Sequence, residues 1–541
     1  MRVFKYYADL LLLILIVSCK QGLQRAEVEK GQIQERTKKM NILFINDEDL
    51  SIRAVGAYGN EDAITPNLDR LADQSILFNN AICQAPMCNA SRASFLTGLR
   101  PENINVFTNQ DLMNESSPNQ ILGIASELKD KGAFLANIGK LYHGREKHIR
   151  YDDFDLLAYC KFPKDFKGEV IAEDESCSKR RFIYSPDSVL ENELIKRQKI
   201  YEQKNKEIPM TAENWWFDVG IPYIGMQFQL LGDSGVPEEC DEDYKKARLA
   251  GELLRQKAAD GQQFFLSVGF SKPHTPIRAP KKYMDMYEVS ETRLTSKQPE
   301  LDSGMLPASK RFGAGADLFT GWFDEEFPQL RETPERQQKA VASYLASSTF
   351  IDAQLGYLLD ILEETGLAEN TIVVFMTDHG FHLGEHGLWS KYSVFDEVLR
   401  VPMMIKVPGV ASAKHEGIVE LLDLLPTLKE MWGLPVPDYL EGESLLPVFE
   451  QPEVSVKTHA FNTFDQYGIA KKHVRGYTIR TKRYRLTKWG KNTLHGVELY
   501  DFEVDPMEQH NVADQTDYSK VRDSLLQILD KEIILQVEAE S

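Results

Sequence analysis

The chain has 541 residues, 42% hydrophobic and 27% charged, with a formal net charge of −19. That length exceeds what one core usually serves, so two domains are expected, and the composition is that of a globular protein. The acidity excludes nucleic acid as a natural partner, which requires a basic face. It bears on solubility and steering rather than on the sign of any one site.

In chain order, Arg2 and Lys5 precede an apolar run from Leu10 to Val17 that ends at Ser18-Cys19. This is the pattern of a signal peptide over 1–19, with an apolar core too short to span a membrane. Ile16-Val17-Ser18-Cys19 resembles a bacterial lipobox, which implies export and a lipid anchor at Cys19, in the periplasm or at the cell surface. An ordinary cleaved signal peptide is the alternative. Residues 20–39 read as a polar tether. Of the remaining cysteines, Cys83, Cys160, Cys177 and Cys240 have access to an oxidising compartment. Cys160 and Cys177 bracket a polar stretch and are the expected bridge, although spacing alone does not fix connectivity.

After Asn41, Ile42-Leu43-Phe44-Ile45 reads as a strand buried on both faces, stopping at Asn46-Asp47-Glu48-Asp49. Thr65-Pro66 opens a helix through Leu68 and Leu71, threonine as cap and proline in the first turn. Ile76 to Ile82 is a second strand. At its exit stands Cys88-Asn89-Ala90-Ser91-Arg92, with a helix beginning near Ser91 whose dipole favours developing negative charge. Residues 150–262 form a charged insertion, expected to shape a substrate cleft, with a helical stretch near Val189 to Lys204. Gln337 to Glu364 is a long helix with Val341, Tyr344, Leu345, Ile351, Leu355, Leu358 and Leu362 on one face, ended by Gly366. Thr371 to Met376 is another buried strand, closing at Thr377-Asp378-His379-Gly380.

Strands alternating with helices predict an α/β sheet covered on both faces, where ligands bind beyond the carboxyl ends of the strands. Both acidic clusters, Glu48-Asp49 and Asp378-His379, fall at such ends. Buried carboxylates do not gather without a counter-charge, and a hard cation seeks oxygen ligands. Past Leu434-Pro435-Val436-Pro437 the chain changes character. Tyr477 to Arg480 and Tyr484 to Thr487 read as neighbouring strands and Val521 to Ile533 as a closing helix. The expected division is a catalytic domain over 40–446 and a smaller C-terminal domain over 447–541.

Cys88 to Arg92 has the form Cys-x-Ala-Ser-Arg, followed by Thr97-Gly98, and resembles the signature of type I sulfatases. In that family the cysteine is oxidised by a maturating enzyme to formylglycine, whose hydrate carries one hydroxyl to attack sulfur and a second to expel sulfate. The resemblance implies an alkaline-phosphatase-like fold, with a large mixed sheet and a smaller C-terminal α+β domain. It also implies one Ca2+ held by Glu48, Asp49, Asp378, His379 and the modified Cys88. The first acidic pair departs from the family's usual Asp-Asp, so Asp47 stays open as a substitute for Glu48. Gly139-Lys140-Leu141-Tyr142-His143-Gly144 resembles the family's Gly-Lys-x-x-His element. There Lys140 would steady the sulfate and His143 would help deprotonate the second hydroxyl. Lys272-Pro273-His274 and Trp389-Ser390-Lys391 supply a histidine and a lysine, either of which would protonate the leaving sugar hydroxyl. Arg92 would orient the nucleophile and support its metal.

Gly384-Glu385-His386, Tyr392-Ser393, Glu498-Leu499-Tyr500-Asp501 and Asp505-Pro506 are similar to the iduronate-2-sulfatase branch and its bacterial relatives. The implied substrate is a sulfated glycan, either glycosaminoglycan fragments or an algal polysaccharide such as ulvan. Two rivals remain. A phosphodiesterase or phosphatase of the same superfamily would hold two zinc ions, for which His379, His382 and His386 have a suggestive spacing, although Gly380, Gly384 and Gly387 interrupt any helix that would align them. A catalytically silent glycan-binding lipoprotein would have no need of the whole charged set.

Overall fold

The structure, a computed structural model, describes residues 33–37, 39–109, 111, 123–143, 154–158, 169–171, 196–197, 199–200, 203–204, 230–294, 305–306, 309, 332–469, 472–490 and 493–539. The elements that place the site are, in chain order, β1 (Asn41–Glu48), β2 (Ile76–Ile82), α1 (Cys88–Thr97), β3 (Phe134–Gly139), β4 (Leu156–Ala158), β5 (Glu169–Ile171), α2 (Glu242–Asp260), β6 (Phe264–Pro273), α3 (Pro334–Glu364), β7 (Thr371–Thr377), β8 (Met403–Lys406) and β9 (Ala413–Glu420).

β1 lies in the middle of a mixed sheet, parallel to β7 on one side and to β6 on the other. From β6 the sheet runs outward through β3 and β4 to β5, all parallel. On the far side of β7, the antiparallel β8 leads to β2, which pairs in parallel with β9. As its continuous apolar run predicts, β1 is buried on both faces. Ile42 and Phe44 enter one core with Phe78, Phe95 and Trp432, while Leu43 and Ile45 enter the other with Phe350, Leu355 and Phe375. α1 covers the first face, Phe95 reaching Phe44 with ring centroids 6.4 Å apart. α3 covers the second. The carboxyl ends of β1, β3, β6 and β7 therefore share one rim, as parallel strands must.

Several boundaries differ from the sequence reading. α1 begins at Cys88, three residues earlier than Ser91, with Met87 as a cap that offers no side-chain bond. α3 begins at Pro334 rather than Gln337, because Thr333 caps it, its Oγ1 accepting from the Arg336 N–H at 3.2 Å. Thr65 precedes its helix as expected, yet its hydroxyl accepts from Gly56 N–H at 2.8 Å instead of capping. The charged stretch 150–262 is not a single excursion. β4 and β5 extend the main sheet, and α2, capped by Asp241, packs Ala247, Ala250 and Leu254 into its core. Of the helix expected at 189–204, residues 196–197, 199–200 and 203–204 are described and helical. Cys240 is disulfide-bonded; Cys160 and Cys177, like the segment 1–32 with Cys19, lie outside the described residues. No described helix is long and apolar enough to cross a membrane.

The C-terminal part is a four-stranded antiparallel sheet, His459–Ile469, Lys472–Thr481, Tyr484–Trp489 and Val497–Asp501 in sequential order, with the closing helix Ser519–Ala539. Ile479, Leu486, Leu499, Leu525 and Leu529 form its own core. Phe464, Val474 and Trp489 join the core of the large sheet instead, so the small unit is anchored to the large one by apolar contact.

Candidate active site

Three strand ends and one helix start converge. Just past β1, Asp49 turns into the left-handed region with φ 64°, which points its carboxylate back toward the start of α1. Its N–H donates to Asp378 Oδ1 at 3.2 Å, and the next N–H, Leu50, donates to Thr377 Oγ1 at 3.2 Å. Cys88, 1% exposed, opens α1 with its Sγ 3.3 Å from His379 Nε2, 3.0 Å from Lys391 Nζ and 3.9 Å from Asp49 Oδ1. Lys391 arrives from a two-stranded ribbon, His382–Leu383 against Trp389–Ser390. It is flanked by two left-handed residues, Ser390 and Tyr392, and its ammonium donates to both Asp49 oxygens, at 2.8 and 3.0 Å.

Arg92, one turn along α1 and fully buried, ties these ends together. It donates to Asp378 Oδ2 (2.8 Å), Asn46 Oδ1 (2.6 Å) and the carbonyls of Lys140 (3.0 Å), Leu141 (3.2 Å) and Asp47 (3.2 Å). These bonds run to the residues that surround Cys88, Asp378 among them. Ser91 Oγ adds a 2.5 Å bond to the Asp378 carbonyl.

On the side open to solvent, Glu48 is ion-paired with Lys140, and His274 Nε2 stands 3.8 Å from the same Glu48 oxygen. His274, with its side chain 31% exposed, is the accessible member of the set. The backbones of β3 and β6 approach so closely here that a Cβ on Gly269 would collide with the Lys140 main chain, which accounts for the glycines bordering Lys140. His143 belongs to the same electrostatic neighbourhood, its imidazole held well below the usual range by burial and by Lys140.

Burial pushes the Cys88 thiol up to about 12, against the pull of Lys391. Burial thus disfavours the thiolate form of this side chain. Burial would also raise the Asp378 carboxyl, but the Arg92 guanidinium outweighs it and holds it well below the usual range. For Glu48, Lys140 and His274 overcome burial in the same direction. Burial lowers the Lys391 ammonium, yet Asp49 more than offsets that and keeps it charged.

The donor set could hold a metal ion. Asp49, Cys88, Asp378 and His379 offer ligand atoms within 4.8 Å of one another, and so do Glu48, Asp49, Cys88 and His274. His379 Nδ1 lies 3.0 Å from the Gly380 carbonyl. A carbonyl only accepts, so Nδ1 carries the hydrogen and Nε2 presents its lone pair to Cys88 and Asp49. Burial lowers this imidazole, which keeps it neutral as a ligand must be. Between Glu48 and Asp47, only Glu48 belongs to these groups. Asp47 accepts from the Glu48 N–H at 2.9 Å and its other oxygen is buried without a hydrogen-bond partner.

The zinc spacing is not realised in space. His382 Nε2 is 2.6 Å from Ser393 Oγ, and His386 stacks on Phe395 at 4.0 Å, grouped with Glu397 and Glu508 rather than with His379. The sequence did not single out Asn46, which accepts from Arg92, or Ser91, Thr377 and Tyr344, whose hydroxyls hold the site's main chain. Only Asn46 and Thr377 carried a signal, each a polar residue at the end of an apolar strand.

The chain is similar to known proteins over most of its length. Residues 40–434 match the sulfatase family, and residues 384–534 match the C-terminal region of N-sulphoglucosamine sulphohydrolase. The chain is 28% identical to iduronate 2-sulfatase of Mus musculus, over 92% of its own length and 94% of that protein. It is 25% identical to an ulvan-active sulfatase of Formosa agariphila, over 96% of its own length and 84% of that protein. Among solved structures, a phosphonate monoester hydrolase of Agrobacterium radiobacter aligns with a TM-score of 0.65 at 22% identity, covering 92% of this chain and 96% of that one. A 2-O GAG sulfatase aligns with a TM-score of 0.62 at 21% identity, covering 92% of each chain. These structural likenesses establish the alkaline-phosphatase-like fold. The family match spans most of the chain, which therefore belongs to the sulfatases, the hydrolases of sulfuric esters.

Proposed function

We propose that the protein hydrolyses sulfate esters on a sulfated glycan through a formylglycine made from Cys88. The observation that carries this reading is the Cys88 side chain, buried at the start of α1 between Lys391 at 3.0 Å and His379 at 3.3 Å. Oxidised and hydrated, the residue would supply geminal hydroxyls, one to attack sulfur and one to release sulfate. The metal-ligand role falls to Asp49, Asp378, His379 and Glu48, and a Ca2+ there would supply Lewis-acid polarisation of a sulfuryl oxygen.

The chain's own residues account for the rest. Lys391 and Lys140 face the charge that builds on the sulfuryl oxygens, the interaction being strongest at the buried Lys391. Lys391 is pinned by Asp49, so His274, accessible and next to Glu48, is the better donor of a proton to the departing sugar oxygen. His143, kept neutral by burial and Lys140, would accept a proton from the second hydroxyl. Arg92 orients the whole set through Asp378.

Relatives that act on iduronate and ulvan support a sulfated uronic-acid glycan as the substrate, from glycosaminoglycan or algal sources. The lipobox-like Ile16-Val17-Ser18-Cys19 supports an exported lipoprotein, and loss of fatty-acid labelling in Cys19→Ala checks that anchor. Side-by-side turnover of matched sulfate and phosphate monoesters, followed by a panel of defined sulfated oligosaccharides, tests the activity. Preference for the phosphate esters would overturn it.

A further inference from the structure

Asp49 stands in a conformation that its own backbone disfavours. Left-handed φ costs an ordinary residue on the order of 1–2 kcal/mol, less for Asp, and persists where the surroundings over-determine it. Three groups fix this turn: Asp378 at the Asp49 N–H, Thr377 at the Leu50 N–H, and Tyr344. The Tyr344 hydroxyl donates to the Asp49 carbonyl and accepts from the Ser51 N–H at 2.8 Å. It therefore spans the turn on both sides of Leu50. Its ring is fully buried and stacks on Phe381, centroids 5.0 Å apart at 29°. Phe381 follows Asp378, His379 and Gly380 directly. One side chain from α3, a helix with no other place in the site, thus touches both loops that carry the carboxylates.

We propose that Tyr344 is a positioning residue that holds Asp49 in its left-handed turn, and with it the carboxylate that faces Cys88. Without the hydroxyl, the Asp49 carbonyl and the Ser51 N–H lose a shared partner in a buried place. The turn is then free to relax toward the right-handed or extended region, which swings the carboxylate away from Cys88. Removal of the ring instead would disturb the core. The two effects separate in Tyr344→Phe, which deletes one oxygen and keeps the stacking on Phe381.

The inference rests on Asp49 as a metal carboxylate, and the test distinguishes the two. Ca2+ binding to the full chain is measured by calorimetry for the wild type, Asp49→Asn, Tyr344→Phe and Tyr287→Phe. Tyr287 is the control, since its hydroxyl also meets α3, 2.6 Å from Thr349 Oγ1, while accepting from Ile64 N–H away from the site. Tyr344→Phe should weaken Ca2+ binding about tenfold, as expected for the loss of a buried hydrogen bond shared by two groups. Its kcat should recover as Ca2+ is raised, while Tyr287→Phe stays at wild-type affinity. Thr377→Val, which removes the acceptor for Leu50, should shift affinity the same way and serves if Tyr344→Phe does not fold. Wild-type Ca2+ affinity in Tyr344→Phe, or in Thr377→Val where that variant replaces it, overturns the inference. Equal losses in Tyr287→Phe and Tyr344→Phe overturn it as well. Wild-type affinity in Asp49→Asn removes the metal reading beneath it.

Discussion

Arg92→Lys is the most telling substitution, because it keeps the charge and removes only the shape. The guanidinium serves five acceptors, on Asn46, Asp47, Lys140, Leu141 and Asp378. An ammonium has three N–H bonds on a single nitrogen, so at least two acceptors lose their donor in a place from which water is excluded. Each orphaned buried acceptor costs about 1–3 kcal/mol, which makes the total roughly 2–6 kcal/mol. All five acceptors belong to the strand ends that carry Glu48, Asp49, Lys140 and His379. The loss should therefore appear in catalysis as well as in stability. If about 3 kcal/mol of it is felt in the transition state, kcat/KM falls roughly 100-fold. Thermal unfolding and sulfate-ester kinetics of the purified variant measure the two effects. A chain with wild-type melting and kcat/KM within about threefold of wild type would refute the view that Arg92 organises the site.

Lys391→Met leaves Asp49 as a buried carboxylate without its ammonium, a change that costs about 3–5 kcal/mol. Ca2+ should therefore raise the melting temperature of this variant more than that of the wild type, and equal increments would argue against a shared site. Asp47→Asn should leave Ca2+ affinity nearly intact whereas Glu48→Gln weakens it; calorimetry showing the reverse order would exchange their roles. Burial pushes the His382 imidazole down to about 3 from 6.5. As pH falls below 6.5 the unfolded chain takes up a proton that the folded chain refuses. Stability present above 6.5 is then lost toward pH 3, by about 2 kcal/mol from this group at pH 5. His379 and His143 are lowered as well and act in the same direction. His382→Gln should flatten part of the fall in melting temperature between pH 7 and 5, and an unchanged slope would show that His382 titrates alike in the folded and unfolded states.

Much of the site was legible because its residues sit at places with strong local signatures. β1 and β7 are continuous apolar runs that end abruptly in acids, so Asp49 and Asp378 declared themselves. Cys88 and Lys391 were carried by motif resemblance, and the structure brings them to 3.0 Å. Other features were hidden for physical reasons. Tyr344 lies on the apolar stripe of α3, where a hydroxyl aimed at a backbone turn has the same pattern as a ring filling the core. Asp47 and Glu48 could not be ordered by strand alternation, because the register against β6 shifts between Asn46 and Glu48. β4 and β5 are three residues each, too short to show any period amid charged sequence. The histidines at 379, 382 and 386 mimic helical spacing, but the ribbon that delivers Lys391 runs through them, and its left-handed glycines Gly384 and Gly387 send His382 and His386 elsewhere.

The chemistry proposed here depends on what Cys88 becomes. The direct measurement is the mass of the peptide containing Cys88, from protein isolated from its native host and again after co-expression with a sulfatase-maturating enzyme. The expected species is the aldehyde of formylglycine, trapped as a hydrazone, with sulfate-ester turnover rising in proportion to the converted fraction. An unmodified cysteine in fully active protein would contradict it.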